Sequence, residues 1–373
     1  MRKLLAEALF VNNGLCNFRY RIVNSEVRLV RWKLLWAPML ACLAMTSLVL
    51  LPSPVHAQGP VKVTVTIAAL EQYVLAVGGD RVTVSYFAPP NVDPHDVSFD
   101  PSMVDTALAS QLLVSSGHVA WETQLEQVMS ERKGVPFSDI GLDLYRDLKG
   151  QMTFLQVPGG GGENIHGYWL LPSNAILIAT AIEHKLEAID PASAAFYKDN
   201  LQKFSDRVAG LQQLIDITAS SRGLKGMGVA VAFYEEQYVA YAFGLNVSLV
   251  LIGEEVEIKP SVLDEARKGF ASGQLHGIIV GDYVQQMSLY QSLLTLSSEQ
   301  KVPLILVTVF EMAALPDYVD MMTYNLGAVA SIQKVEAAPT GVDVSTYLYV
   351  IGLLVFVAIL EGVILFMRGR KIG

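Results

Sequence analysis

The body of this sequence contains no cysteine. Cys16 and Cys42 both fall in the N-terminal segment, so the body has neither a disulfide nor a thiolate metal site. His, Asp and Glu remain as its possible ligands. Catalytic signatures are missing as well. There is no His-Glu-x-x-His, no Gly-x-Ser-x-Gly, and no Gly-Lys-Ser/Thr after the glycine run 159–162. This counts against a zinc peptidase, a serine hydrolase or a phosphate-binding loop, and an enzyme is not expected. Positive charge is scarce away from the ends. Residues 1–57 carry seven Lys/Arg and two Glu, and residues 346–373 three and one, which leaves 17 basic against 33 acidic side chains between them. That balance of −16 disfavours nucleic acid and is compatible with a surface that attracts cations.

At 373 residues the chain has room for two ordinary domains, and two apolar segments explain its 52% hydrophobic content. Residues 1–32 show no periodic pattern. From Trp32 to Leu51 the chain is almost continuously apolar, and Val55-His56-Ala57 resembles a cleavage site, so residues 1–57 are expected to end in an export signal. An uncleaved anchor is the alternative. Cys42, after Met39-Leu40-Ala41, is a poor match to a lipoprotein processing site. After a linker at 335–345, residues 346–367 hold one ionisable side chain, Glu361, over about the length that crosses a bilayer. They predict a C-terminal transmembrane helix. Arg368-Gly369-Arg370-Lys371 follows it, which puts the tail 368–373 in the cytoplasm and the body on the extracytoplasmic side.

The body opens with the alternating run 61–67, then a short helical stretch and the β-branched run 82–87. Strand-like and helical segments keep alternating, which predicts parallel βαβ units in an α/β fold. The longest periodic helix begins at Asp190-Pro191 and carries Phe196, Leu201, Phe204, Val208, Leu211, Leu214 and Ile215, with charges opposite. It divides the body into an N-terminal lobe (58–190), a linking helix (191–220) and a C-terminal lobe (221–334). The second lobe repeats the pattern with strands near 228–232, 247–252, 276–280 and 303–309.

One pattern occurs twice. His95 stands five residues before Pro101-Ser102, and His166 five residues before Pro172-Ser173, each ahead of an apolar helix. Asp100 is a cap candidate and Pro101 suits the first helical position. Two neutral imidazoles on separate loops can share one ion, although either alone is an ordinary surface histidine. His118 follows a strand end and is read as a buried or rim histidine that could face the same cleft. His184 and His276 are read as structural, and Asp282 as an interface candidate only.

The blocks Gly78-Gly79-Asp80-Arg81-Val82-Thr83-Val84, Pro89-Pro90-Asn91-Val92-Asp93-Pro94-His95, Phe99-Asp100-Pro101-Ser102 and Ile165-His166-Gly167-Tyr168-Trp169 resemble the metal-binding receptors of zinc/manganese ABC importers. So do Asp190-Pro191, Tyr197-Lys198-Asp199-Asn200-Leu201 and Tyr318-Val319-Asp320-Met321-Met322-Thr323-Tyr324-Asn325, over roughly residues 61–334. The resemblance implies two α/β lobes joined by one long rigid helix, with an ion, Zn2+ or Mn2+, between them. It makes His95 and His166 the first lobe's ligands. It also implies a monomer whose partner is the permease subunit of an ABC importer. The departures are specific. The third ligand's place falls at Phe233, and the fourth's within 307–311, where Glu311 is the first carboxylate. Leu171 stands where an acidic partner is usual, and the glycine run replaces a histidine-rich loop. Glu235 and Glu236 open a helix, whose N-terminal dipole by itself favours carboxylates. Glu235, nearer the strand end, is the expected substitute ligand, with Glu311 the other carboxylate. Such a substitution would favour harder ions such as manganese. A degenerate relative that binds another ligand, or only a partner protein, is the competing reading.

Overall fold

The structure is a computed structural model and describes residues 59–333, except 91, 254, 256, 311–314 and 316. The N-terminal segment 1–57, Glu311, the linker 335–345, the expected membrane helix 346–367 and the tail 368–373 lie outside the described residues. Among the described residues no helix is long and apolar enough to cross a membrane.

Strand β1 (Val61–Ile67) exposes only Lys62, because both faces of its sheet are covered. Helix α1 (Glu71–Gly78), strand β2 (Val82–Ala88), helix α2 (Pro101–Ala109) and strand β3 (Leu112–Ser115) follow. Asp100 caps α2 through Ser102 N–H at 2.7 Å, with Pro101 in the first turn as the sequence predicts. Helix α3 (Ala120–Lys133) ends at Gly134, and strand β4 (Gly141–Asp143) completes a four-stranded parallel sheet in the order β2-β1-β3-β4. A small hairpin, β5 (Leu155–Gln156) and β6 (Glu163–Asn164), is closed by the glycine run. Three of those glycines have positive φ, so the run forms a tight turn.

Helix α4 (Pro172–Ile189) leads through a short turn to α5 (Ala194–Ser221), a helix of 28 residues. Tyr197, Phe204, Val208, Leu211, Ile215 and Ala219 form its buried stripe, at spacings that keep one face inward. Leu214, expected on that stripe, is instead exposed. The second half then runs β7 (Gly228–Val231), α6 (Glu235–Ala242), β8 (Asn246–Val250), α7 (Pro260–Ala271), β9 (Ile278–Gly281), α8 (Tyr290–Gln300), β10 (Leu304–Val307) and α9 (Tyr318–Val329). Its sheet is also parallel, in the order β10-β9-β7-β8. Each sheet therefore places its first strand between its second and third. In such sheets the crevice at the carboxyl ends, beside the reversal of strand order, is where ligands are held.

One apolar cluster runs through both halves, from Val61 to Ile332, and a smaller one around Leu113, Trp121 and Leu125 fills the other face of the first sheet. Hydrogen bonds between the halves supplement it. Tyr318 donates to Leu170 O at 2.9 Å, Trp169 Nε1 to Val309 O at 3.3 Å, and Gln237 Nε2 to Gln156 O at 2.8 Å. The backbones of the two halves approach closely at Gly167. Its φ is +83°, and a Cβ there would stand 2.9 Å from Glu235 Cα. Gly210, exposed within α5, has nothing within 4 Å of its missing Cβ. Gly167→Ala should therefore destabilise the fold by roughly 1–3 kcal/mol through strain and collision. Gly210→Ala should stabilise it by about 0.5–1 kcal/mol. Thermal unfolding of both variants checks the pair, and a neutral Gly167→Ala would mean that the loop does not press on α6.

Candidate metal centre

Three histidines meet at the carboxyl edge of the first sheet. His95 lies in a short turn after β2, where its N–H donates to the Asp93 carboxylate at 2.9 Å. Trp121 pins this turn by donating from Nε1 to Pro94 O at 3.0 Å. His166 follows β6, its N–H donating to Asn164 Oδ1 at 2.9 Å. The Asn164 amide in turn donates across the cleft to Tyr234 O at 2.9 Å and to Gln237 Oε1 at 2.8 Å. His118 sits three residues beyond the end of β3. The ring centroids are 5.1 Å apart for His95–His166, 5.3 Å for His95–His118 and 5.5 Å for His118–His166. Trp169 packs against His118 at 5.4 Å, and Tyr234 stacks on His166 at 5.7 Å.

The expected pair, His95 and His166, is thus brought together, and His118 joins it. The sequence reading gave His118 a buried or rim position. Its ring lines the same cleft of about 630 Å³ as the other two. The signal that could have found it is positional: it follows the buried strand beside the reversal of strand order.

The second half contributes a different surface. Phe233, Tyr234, Tyr283, Met287 and Leu289 line the cleft, and the rings of Phe233 and Tyr283 lie 5.9 Å apart. Phe233, in the place of the third ligand, supplies an apolar wall. Glu235 also lines the cleft and is buried. Glu236 turns into the sheet, accepting from Phe233 N–H at 2.7 Å and Gly281 N–H at 2.6 Å. It therefore ties β7 to β9, and of the two carboxylates only Glu235 faces the cleft. Glu311 lies outside the described residues. Asp282 accepts from Thr308 Oγ1 at 2.9 Å, while His184 is exposed beside Glu183 on α4. His276 donates its backbone N–H to Gly228 O at the start of β9.

The charge state suits a cation. Burial, with His95 beside it, pushes His166 down to about 4, against a weaker upward pull from Asp93. Burial, then His166 and His95, likewise holds His118 well below the ordinary histidine value. Burial, then Glu236, lifts Glu235 to about 8. At neutral pH His118 and His166 are accordingly neutral, the form that binds metal, and Glu235 is a carboxyl that gives up its proton when a cation arrives.

The rings can be tested against an ion. With metal–nitrogen bonds of about 2.0–2.1 Å and tetrahedral angles, two ligand rings have centroids about 5 Å apart. All three observed separations are close to that. Among the described residues no group of three His, Cys, Asp or Glu side chains already forms a metal-holding set. The spacing is present before the donor atoms have converged. His166 Nδ1 is buried and without a partner, which costs about 1–3 kcal/mol unless a bound group satisfies it.

Residues 63–332 match the family described as ZnuA, zinc-uptake complex component A, periplasmic. Among curated proteins, the chain is 24% identical over 161 residues to a metal ABC transporter substrate-binding lipoprotein of Lactococcus lactis subsp. lactis, covering 41% of this chain and 49% of that protein. It is 23% identical over 286 residues to the manganese ABC transporter substrate-binding lipoprotein PsaA of Streptococcus pneumoniae, covering 72% and 87%. The chain spans about half the length of the first curated relatives it matches. A crystal structure of a zinc-bound ZnuA deletion mutant superposes with a TM-score of 0.60 at 19% identity, over 74% of this chain and 99% of that one, a likeness of fold. With the family matched across both sheets and the helix between them, the chain belongs to the ZnuA family of periplasmic zinc-uptake components.

Proposed function

We propose that this chain is an extracytoplasmic receptor that binds one divalent transition ion, zinc or manganese, and delivers it to the permease subunit of an ABC importer. The observation that carries this reading is the meeting of His95 and His166, from separate loops, at 5.1 Å in one cleft. The family is one of transport components, and several relatives are named metal or manganese ABC transporter substrate-binding lipoproteins. In this reading residues 58–190 and 221–334 act as two lobes about the helix 191–220, with the ion between them. His95 and His166 are ligands, and Glu235 closes the site from the second lobe as its carboxylate. Glu311 is the other carboxylate candidate. No bond-making step is assigned, because a receptor needs only to bind and release its cargo.

The competing reading, a relative that has lost the ion, draws on the aromatic wall of Phe233 and Tyr283. Melting of the full chain with added metal separates the two. An ion bound only by the folded state adds about 2.7 kcal/mol of stability at 100 times its Kd, so the melting temperature should climb with zinc or manganese concentration. His95→Ala and His166→Ala should abolish that rise, and Glu235→Gln should weaken it. A melt unmoved by either ion at large excess would leave the competing reading in place.

We further propose that residues 346–367 tether the receptor, with Arg368, Arg370 and Lys371 holding its end in the cytoplasm. The single carboxyl, Glu361, costs a few kcal/mol to insert, which burial of the aliphatic residues around it outweighs. A tether near the permease raises the effective concentration, so even modest affinity suffices for capture. Deleting residues 346–373 should release the protein from the membrane fraction. If the shortened chain stays there, the segment near residues 32–51 is the anchor.

A further inference from the structure

We infer that His118 is a third imidazole ligand of the ion, aimed by Ser116 and Glu122, and that the site therefore takes zinc in preference to manganese. This rests on the receptor reading and goes beyond the ligand set expected from the sequence, which names no residue of the loop between β3 and α3.

The geometry around His118 determines which ring nitrogen carries the proton. Glu122 is fully buried at the start of α3. It accepts from Ser116 N–H at 3.0 Å, His118 N–H at 3.1 Å and Val119 N–H at 3.2 Å. The Ser116 hydroxyl stands 2.8 and 2.9 Å from its two oxygens. Each backbone group can only donate, so the carboxylate is held as an acceptor and the single Ser116 O–H is directed to it. Ser116 Oγ also lies 2.5 Å from His118 Nδ1. With its own proton committed to Glu122, that oxygen can only accept there. With Glu122 as the acceptor, we place the His118 proton on Nδ1, which leaves Nε2 with a bare lone pair. Nδ1 is directed back toward the sheet by Ser116, while the ring lines the cleft with His95 and His166. A histidine whose far N–H is fixed by a hydrogen-bonded partner is the usual arrangement of a metal ligand, since that bond sets the tautomer and raises the basicity of the binding nitrogen.

Glu122 also closes the N-terminus of α3, accepting from Val119 N–H as the third residue of the helix, and the Ser116 hydroxyl that it holds is the group that reaches the His118 ring. A third imidazole also offsets the loss at Phe233. Three nitrogens with one carboxylate favour zinc, whereas manganese prefers oxygen-rich sites and stands lowest in the affinity order of the divalent ions. The carboxylate at Glu235 alone pointed toward manganese, and the third ring reverses that balance.

The test uses the full chain and measures zinc and manganese affinities by competition, with cobalt as a spectroscopic probe. Wild type should bind zinc more tightly than manganese and give the intense visible bands of four-coordinate cobalt. His118→Leu should lower zinc affinity roughly 100-fold or more, change manganese affinity less, and weaken the cobalt bands. Ser116→Ala should cost about 10-fold and Ser116→Thr should restore it. Nitrogen NMR of the metal-free, unmutated protein should show His118 protonated on Nδ1, a readout that does not depend on how any variant folds. If wild type binds zinc but His118→Leu keeps the same zinc affinity and zinc-to-manganese ratio, the inference is overturned and the receptor stands. A His118 proton on Nε2 overturns it as well. Wild type that binds neither ion overturns the receptor reading, and this inference with it.

Discussion

The side chain of Asn164 is the hinge on which this centre depends. Its carbonyl oxygen holds the His166 backbone, its amide reaches Tyr234 and Gln237 in the other half, and its backbone carbonyl accepts from Tyr238. A buried amide with every bond made allows little freedom, because any displacement leaves polar groups unpaired at 1–3 kcal/mol each. Gly167 follows from that constraint. With His166 drawn against α6, the next residue must pass beside the Glu235 backbone, and only a residue without a Cβ, free to adopt positive φ, fits there. The position of His166 relative to Glu235 is thus set by backbone and amide geometry, independently of any ion.

The chemistry of the cleft follows from what surrounds those rings. Three imidazoles within 5.1–5.5 Å cannot all be charged, and burial holds His118 and His166 below the ordinary histidine value. Facing an aromatic wall, the unpartnered His166 Nδ1 is a lone pair that a cation would satisfy. Glu235 responds in the same direction: protonated while buried alone, it becomes a favourable carboxylate when a cation enters. The negative balance of the surrounding chain assists at longer range.

The alternation of strands and helices, the cap at Asp100 and the long helix were all legible in the sequence, because each is written in local patterns of burial and capping. His95 and His166 were legible for the same reason, each carrying the same proline-serine context. His118 was legible only in part: the strand end before it gave it a buried or rim place that could face the cleft, and nothing local paired it with the other two. Its importance comes from β3 lying beside β1, a fact of strand order. The sequence favoured Glu235 over Glu236 only for its nearness to the strand end, and gave no role to Glu236. A turn of one residue on a helix rotates a side chain by about 100°, and that rotation sends Glu235 to the cleft and Glu236 to the amides of β7 and β9. Leu214 marks the limit of periodicity itself, since a stripe of apolar residues can be one position wider than the surface that covers it.

The distribution of donors between the halves has a consequence for release. His95, His118 and His166 all precede α5, while beyond it Glu235 is the His, Asp or Glu residue drawn furthest into burial among those lining the cleft. A site divided evenly between two halves must hold both in register to bind at all. In the proposed site the ion would first meet rings fixed to one sheet, and the second half would add the buried Glu235 and an apolar cover. Separating the halves would then remove Glu235 and readmit water, weakening the site without dismantling it. The polar contacts that resist such a separation, Tyr318 to Leu170, Trp169 to Val309 and Asn164 to Tyr234 and Gln237, each contribute only about 0.5–1.5 kcal/mol net.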